Sequence, residues 1–162
     1  MVPEYHKECV TCHLDRSSSL CLIILAVPII LKGISTAEDA LLAYESGVQG
    51  IVLSNHGGRQ LDTARSGLEI LVEVTEALKK RGTTRPFDIF VDGGVRRASD
   101  VLKALALGAK AVGVGRAFLY AFCAYGQPGV EKAIQIFRVR HSHAPSRPPP
   151  LTWRRCCRMS WR

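Results

Sequence analysis

Between about residues 27 and 138, short apolar runs alternate four times with longer amphipathic segments. Each apolar run is nearly continuous, which is typical of parallel strands that are covered on both faces. We predict strands over 28–31, 50–53, 89–91 and 111–114. Four consecutive β-α units exclude an all-helical or all-β fold and predict an α/β protein with a parallel sheet.

The segments between these runs carry signals for the start and end of helices. Ser35 or Thr36 can cap the first helix, Gly82 and Gly108 follow the second and third, and Pro128 suits a first helical turn. We predict helices over 36–46, 67–80, 99–107, from about 116, and over 128–138.

Polar or glycine-rich residues follow every predicted strand. They are Lys32-Gly33, Ser54 to Arg59, Asp92 to Arg97, and Gly115-Arg116. In folds with parallel strands, functional groups gather at the carboxyl edge, whether the sheet is open or closed into a barrel. We therefore expect the functional site at this edge.

Two of these strand ends suit a phosphate. The segment Asp92-Gly93-Gly94-Val95-Arg96 lets the backbone approach an anion and adds a cation, and Gly115-Arg116 presents N–H groups at a predicted helix start. The alternative is that these glycines only make tight turns between strand and helix. The two segments together favour a phosphate site.

The stretch IVLSNHGGRQLDT, residues 51–63, brings an imidazole and a guanidinium to the end of a strand. His56 can serve as a general base, and Arg59 can bind a carboxylate through two hydrogen bonds. Gly57 and Gly58 leave room for a planar ring. The alternative is a loop histidine that caps a helix.

Lys32 directly follows the first predicted strand. An unpaired lysine is costly to bury, so its side chain must face either solvent or an anion at the functional edge. Taken alone, the residue favours solvent.

The two ends of the chain differ from the middle. Of the eight net positive charges, six come from arginines in residues 139–162, a Pro- and Arg-rich segment without Asp or Glu. The remaining part is nearly balanced, which argues against a nucleic-acid-binding fold. We predict an irregular leader over 1–26, a domain over 27–138 and a disordered tail over 139–162.

The cysteines give two rival motifs near the start of the chain. Cys9, Cys12 and His13 have the spacing of c-type haem attachment, and with Cys21 they could bind zinc. We favour neither motif and expect no bound metal. The cysteines do not form the pattern of a disulfide framework, so we expect a reducing compartment. The apolar run over 20–31 is too short for a membrane span, and no signal peptide is expected.

The motifs SNHGGRQ at 54–60, LKG at 31–33, VDGGVRR at 91–97 and VGVGR at 112–116 occur in the order and spacing of one family. The chain resembles the FMN-dependent 2-hydroxy acid dehydrogenases and oxidases, which include glycolate oxidase, lactate oxidase and the flavin domain of flavocytochrome b2. The resemblance covers about residues 28–138. It implies FMN as cofactor, a small (S)-2-hydroxy acid such as lactate or glycolate as substrate, and a (β/α)8 TIM barrel.

The resemblance also implies a role for each matching residue. His56 would be the catalytic base, Arg59 would bind the substrate carboxylate, and Lys32 would lie near flavin N1 and O2. The residues implied to hold the FMN phosphate and neighbouring atoms are Asp92, Gly93, Gly94, Arg96, Gly115 and Arg116. Complete members of the family are expected to be homo-oligomers.

The matching segment corresponds to the last four β-α units of such a barrel, and four strands taken from a barrel leave two open edges and an uncovered interior face. The first half, which in the family supplies two tyrosines and an aspartate that orients the histidine, has no counterpart here. We therefore expect that this chain alone neither binds FMN tightly nor turns over. The alternative function is an inactive fragment that at most binds phosphate or flavin. A cytoplasmic, mitochondrial or peroxisomal location is left open, and the final Ser160-Trp161-Arg162 is not a peroxisomal Ser-Lys-Leu signal.

Overall fold

The computed structural model describes residues 27–142, with side chains described as far as residue 138. Strands and helices alternate along the chain. The strands are β1 (Ile30–Ile34), β2 (Gly50–Leu53), β3 (Asp88–Asp92) and β4 (Ala111–Gly113). The helices are α1 (Ala37–Glu45), α2 (Gly67–Arg81), α3 (Ala98–Ala106) and α4 (Arg116–Ser142). All neighbouring strands pair in parallel, in the order β1-β2-β3-β4.

One face of the sheet forms the hydrophobic core. Ile51 and Leu53 of β2 are fully buried, and they belong to one cluster with buried residues of the helices. The helical members of this cluster are Ala40, Ala43, Tyr44, Ile70, Leu71, Val74, Leu78 and Ala104. Burying these apolar side chains is the main stabilising contribution to the fold.

The opposite face of the sheet is only partly covered. Ile30 is 46% exposed, Val52 and Phe90 are half-buried, and Ala111 is exposed. The apolar runs alone predicted strands covered on both faces, which is wrong for the described residues, whereas the uncovered face expected of half a barrel is confirmed. The physical reason is that α1, α2 and α3 pack into one core on one side of the sheet, and no described element covers the other side.

Strand β1 is shifted from the predicted 28–31. It continues through Lys32 to Ile34, because Gly33 adopts φ +97° and is inserted as an extra residue opposite β2. Ile34 then pairs with Leu53 and is buried. Such a bulge adds one residue without ending the pairing. Lys32 therefore lies within the strand and does not follow it.

The first three predicted helices agree with α1, α2 and α3 to within one residue at each end. The Thr36 side chain caps α1, and Ser66 caps α2 in a reciprocal arrangement with Glu69. The two predicted helical pieces after β4 form α4, which is interrupted at the non-helical Gly126. Helix α4 ends at Ser142, four residues beyond the predicted boundary.

The expectations of no membrane span and no metal concern the whole chain, of which the structure describes residues 27–142. None of the helices described within 27–142 is both long and apolar enough to cross a membrane. Over the same residues, no group of three or more His, Cys, Asp or Glu side chains is placed to hold a metal ion. The haem and zinc motifs at residues 9–21, the leader over 1–26 and the segment 143–162 lie outside the described residues.

Candidate active site

A cavity of about 770 Å³ lies at the carboxyl ends of the four strands. Its volume is in the range that is typical of small-molecule and cofactor sites. All nine residues predicted for the site line it: Lys32, His56, Arg59, Asp92, Gly93, Gly94, Arg96, Gly115 and Arg116. The fold therefore brings together, from four separate strand ends, every residue that the sequence suggested.

Lys32 faces both solvent and a carboxylate: its side chain is 47% exposed, as the residue alone suggested, and it also forms an ion pair with Asp92. Its Nζ lies 3.3 Å from Asp92 Oδ2 and donates a hydrogen bond of 2.9 Å to Ser54 Oγ. Lys32 pairs with Val52, Val52 with Phe90, and Asp92 lies two residues after Phe90. Alternate residues of a strand share one face, so the lysine and the aspartate lie on the partly covered face of the sheet.

Asp92 has one carboxylate oxygen still available. Its Oδ1 is buried and has no hydrogen-bond partner among the described residues. An unpaired buried acceptor is costly, so the position is suited to an N–H or O–H donor of a ligand. Because two anions repel, we do not expect Asp92 itself to contact a phosphate.

The loop after β2 has an unusual backbone. His56, Gly57 and Gly58 adopt φ values of 56°, 68° and 74°, in the left-handed region. For a histidine this conformation is uncommon, and such strain is concentrated at functional sites. The buried Ser54 stabilises the turn, because its Oγ accepts a 3.0 Å hydrogen bond from the backbone N–H of His56.

The turn leaves the side chains of His56 and Arg59 exposed at the cavity. Thr36 and Ser66, not His56, cap the helices on either side of this loop. The alternative of a helix-capping histidine is therefore wrong for α1 and α2. An accessible imidazole that lines the same cavity as a guanidinium can accept a proton from a substrate whose carboxylate the guanidinium binds.

The glycine loops leave open space beside the backbone. A Cβ added at Gly94 or Gly115 would meet nothing within 4 Å, whereas at Gly93 it would lie 3.4 Å from Asn55 Oδ1. Gly94 and Gly115 therefore expose backbone to the cavity. Helix α4 begins at Arg116. The free N–H groups and the dipole at the N-terminus of this helix favour an anion at that end of the cavity.

Arg116 also links two of the loops. Its Nη2 donates a 2.5 Å hydrogen bond to the carbonyl oxygen of Gly57. The strand end after β4 is thereby joined to the loop that carries His56. A side chain at residue 57 would interfere with this contact, because an added Cβ would lie 2.9 Å from Arg116 Nη2.

The charges at the cavity favour an anionic ligand. Four cationic side chains line it, from Lys32, Arg59, Arg96 and Arg116, against the single carboxylate of Asp92. The alternative that the glycines of these loops only make tight turns does not account for the four cationic side chains around them. A phosphate at Gly94 and Gly115, together with a donor group near Asp92 Oδ1, is the pattern expected of a phosphorylated flavin. The residues present therefore fit FMN.

Sequence reasoning missed several residues of the site. Ser54 binds Lys32 and the His56 backbone, although only its position directly after a buried strand could have suggested this. Tyr120 lines the cavity four residues after Arg116, a spacing that places both on one side of a helix. The other unpredicted lining residues are Gly113, Val114 and Ala117, whereas Gly57 and Val95, which also line the cavity, belong to segments that the sequence already assigned to the site.

Comparison with known proteins agrees with this geometry. A family model described as FMN-dependent dehydrogenase matches residues 23–142. The chain is 61% identical over 115 residues to an L-lactate dehydrogenase (cytochrome) of Wickerhamomyces anomalus, covering 71% of this chain and 20% of that protein. It is 49% identical over 113 residues to 2-hydroxyacid oxidase 2 of Homo sapiens, covering 70% of this chain and 31% of that protein.

Solved structures support the same relationship. A mutant flavocytochrome b2 with pyruvate bound matches with a TM-score of 0.67 and 57% identity, over 69% of this chain and 29% of the other. A mandelate oxidase matches with a TM-score of 0.64 and 47% identity, over 72% of this chain and 34% of the other. The predicted fold, a parallel α/β segment of a TIM barrel, is confirmed.

The chain thus spans between about a fifth and a third of the length of these relatives. Within that span the resemblance seen in the sequence, and the FMN dependence that it implied, are confirmed at the level of the family. The chain belongs to the FMN-dependent dehydrogenase family.

Proposed function

We propose that this chain carries the phosphate-binding and proton-transfer part of an active site that oxidises a small (S)-2-hydroxy acid, such as lactate or glycolate, to the 2-oxo acid with FMN. The observation that carries the proposal is the gathering of all nine candidate residues around one cationic cavity. The family membership supports the reaction type, and the relatives named for L-lactate and 2-hydroxyacids support the class of substrate.

His56 and Arg59 would act on the substrate. Arg59 would hold its carboxylate through paired hydrogen bonds, which fixes the orientation of the neighbouring carbon. His56 would remove a proton from the bound hydroxy acid. Both side chains reach the cavity from one loop, so a single backbone turn would control the distance between base and carboxylate clamp.

The remaining residues would hold the cofactor. Gly94, Arg96, Gly115 and Arg116 would bind the phosphate, and Asp92 would accept a hydrogen bond from a polar group of the flavin or its side chain. Lys32, held between Asp92 and Ser54, would place a positive charge beside the ring. When bound, FMN supplies the two-electron redox step, which no amino-acid side chain of this site can supply.

A second candidate is a half-barrel that binds flavin or phosphate without catalysis. The observation that favours it is the partly covered sheet face next to the site, with His56 and Arg59 exposed. Exposure to water weakens the electrostatic effect of charged groups. We therefore expect the 162-residue chain by itself to bind FMN weakly and to show no steady turnover; stoichiometric yellow flavin with steady turnover would contradict this expectation.

Anaerobic reduction of the flavin separates the two candidates. The purified chain, saturated with FMN, is mixed with L-lactate or glycolate, and the visible flavin absorbance is followed. The proposed function predicts slow bleaching that disappears in His56→Gln and persists in the control Arg81→Gln, which lies far from the cavity in an ion pair with Glu45. Absence of bleaching in the unmodified chain would support the binding-only candidate.

A further inference from the structure

The loop that carries His56 and Arg59 is closed at its base. The Asn55 side-chain amide donates from Nδ2 to the carbonyl oxygen of Arg65 at 3.3 Å, and its Oδ1 accepts from the backbone N–H of Gly58 at 3.1 Å. The two ends of the loop over residues 55–65 therefore lie together, as in a compact surface loop of this length.

The Arg65 side chain reaches away from this loop to a different part of the fold. Its Nη1 lies 2.5 Å from Glu73 Oε2 on α2, and its Nη2 donates to the backbone carbonyl oxygen of Ser35 at 3.2 Å. The other oxygen of Glu73 accepts from the backbone N–H of Ala37, the first residue of α1, at 3.2 Å. Arg65 and Glu73 thus hold the chain between β1 and α1 from two sides.

That segment continues directly to the cofactor side of the cavity. The Ser35 hydroxyl donates to the carbonyl oxygen of Gly33 at 3.1 Å, and Gly33 is the bulge residue next to Lys32. A continuous set of contacts therefore joins the loop of His56 and Arg59 to the end of β1. Neither Arg65 nor Glu73 lines the cavity itself.

We propose that Arg65 and Glu73 are positioning residues, which fix the loop carrying His56 and Arg59 relative to the strand end carrying Lys32. The inference rests on the proposed function for its meaning in catalysis. Its structural part, that these two side chains restrain the loop over residues 55–65, can be tested without any cofactor.

An exposed ion pair alone would be a weak restraint, since such pairs contribute little in water. Arg65 and Glu73 are 49% and 39% exposed. Both, however, also bond to backbone groups of the β1-α1 connection, so the restraint acts on the chain itself. The pKa of Glu73 is lowered, mainly by the hydrogen bond from Arg65 and further by the bond from the backbone N–H of Ala37.

The chain contains a matched control for this pair. Arg81 and Glu45 also join α2 to α1, and they are similarly exposed, at 53% and 51%. They lie at the opposite ends of the two helices and away from the cavity. Arg65→Gln and Arg81→Gln therefore remove the same charge and the same type of pair, and only the first removes a contact of the loop over residues 55–65.

Amide hydrogen exchange without FMN tests the restraint. In Arg65→Gln we expect exchange over residues 55–65 to accelerate about tenfold, and in Arg81→Gln to change less than about twofold, because local opening is controlled by local contacts. Equal exchange in the two variants would overturn the proposal. If Arg65→Gln does not fold, Glu73→Gln is measured in its place with the same expectation.

A charge exchange and a ligand titration separate positioning from general stability. The double variant Arg65→Glu, Glu73→Arg restores the attraction but loses the bonds to Ser35 and Ala37, so the fast exchange should persist. Full recovery of the slow exchange would contradict a restraint that acts through the backbone. At saturating FMN, Arg65→Gln should weaken pyruvate binding severalfold while the FMN Kd stays within about twofold, since other loops hold the phosphate. Equal weakening of both ligands would contradict a positioning role, whereas failure of the unmodified chain to bind FMN would overturn only the proposed function.

Discussion

Lys32 Nζ and Asp92 Oδ2 lie 3.3 Å apart across the carboxyl ends of β1, β2 and β3. Ser54, at the end of the intervening strand, accepts a hydrogen bond from the same ammonium group. Three strand ends are thereby joined by one lysine. The pair also leaves Asp92 Oδ1 buried and available to a ligand, which makes it the polar centre of the cavity.

The first prediction concerns this pair. Lys32→Met should weaken FMN binding at least about tenfold, because it would remove the cation proposed to lie beside the flavin ring and would leave the Asp92 carboxylate without its partner. The free energy of unfolding should change by less than about 1 kcal/mol, since the pair is partly exposed. FMN titration and urea unfolding measure the two effects.

Lys110→Met is the matched control for that variant. Lys110 forms an ion pair with Asp88 at 2.6 Å, at the opposite end of β3 from Asp92. The charge change and the residue types are the same. An equal loss of FMN affinity in both variants would mean that net charge, and not the position of Lys32, accounts for the effect.

The second prediction concerns the open backbone at Gly94. A Cβ there would meet nothing within 4 Å, and φ is +75°. Gly94→Ala should therefore cost about 1–2 kcal/mol of stability through the left-handed backbone alone, and in addition should block the approach of a phosphate. We expect FMN affinity to fall at least about tenfold, by fluorescence titration.

Gly82→Ala controls for the backbone effect. Gly82 has φ +73°, also with nothing within 4 Å, but it ends α2 and lies outside the cavity. It should lose similar stability and retain FMN affinity. If Gly82→Ala impaired FMN binding as much as Gly94→Ala, the assignment of Gly94 to the phosphate would be wrong.

The third prediction is that the stability of the fold depends on pH through the carboxyl group of Glu73. Its pKa is lowered in the fold, first by the hydrogen bond from Arg65, so the unfolded chain takes up the proton before the folded one does. The stabilisation is present above the ordinary pKa of a glutamate, about 4.3, and is lost as the pH falls below it. Arg65 also faces Glu69 and Glu38, which remain unchanged in the comparison below.

Unfolding of the unmodified chain and of Glu73→Gln at several pH values checks this dependence. The unmodified chain should be the more stable of the two near pH 6, and the difference should shrink towards zero on acidification below about pH 4, because glutamine does not titrate. A stability difference that stays constant from pH 6 to pH 3 would contradict the role of the Glu73 carboxylate.

Much of the fold could be predicted because its signals are local. Nearly continuous apolar runs gave four parallel strands, and Thr36 and Gly82 marked helix ends. The family resemblance and the rule that functional groups gather at the carboxyl edge together identified nine cavity residues. Local patterns were sufficient for elements whose signals lie within a few neighbouring residues, such as apolar strands and capped helix ends.

The remaining features depend on contacts between distant parts of the chain. The continuation of β1 past Lys32 depends on Ile34 pairing with Leu53, which no short window contains. The pairing of Lys32 with Asp92 and the contact of Arg65 with Ser35 likewise join residues from separate β-α units. The partly covered sheet face could not be predicted from the apolar runs, which look the same whether one or both faces are covered. It was predicted only from the resemblance to half of a barrel.

The fourth prediction concerns the exposed apolar side chains of α4. Leu119, Phe122 and Tyr125 are 56%, 58% and 77% exposed. Exposed apolar patches favour association, so the chain should self-associate with increasing concentration. Replacing Leu119 and Phe122 by glutamate should shift sedimentation towards the monomer; an unchanged distribution would show that this surface is not responsible.

Binding of FMN through its phosphate, in the cavity at the carboxyl ends of the strands, is the property on which the proposed function depends. The most direct test is to titrate the purified chain with FMN and, separately, with riboflavin, which lacks the phosphate. We predict saturable but weak FMN binding, with a Kd on the order of 1–100 μM, and riboflavin binding at least about tenfold weaker. Equal affinity for the two flavins, or no saturable binding of FMN, would contradict phosphate recognition by this cavity.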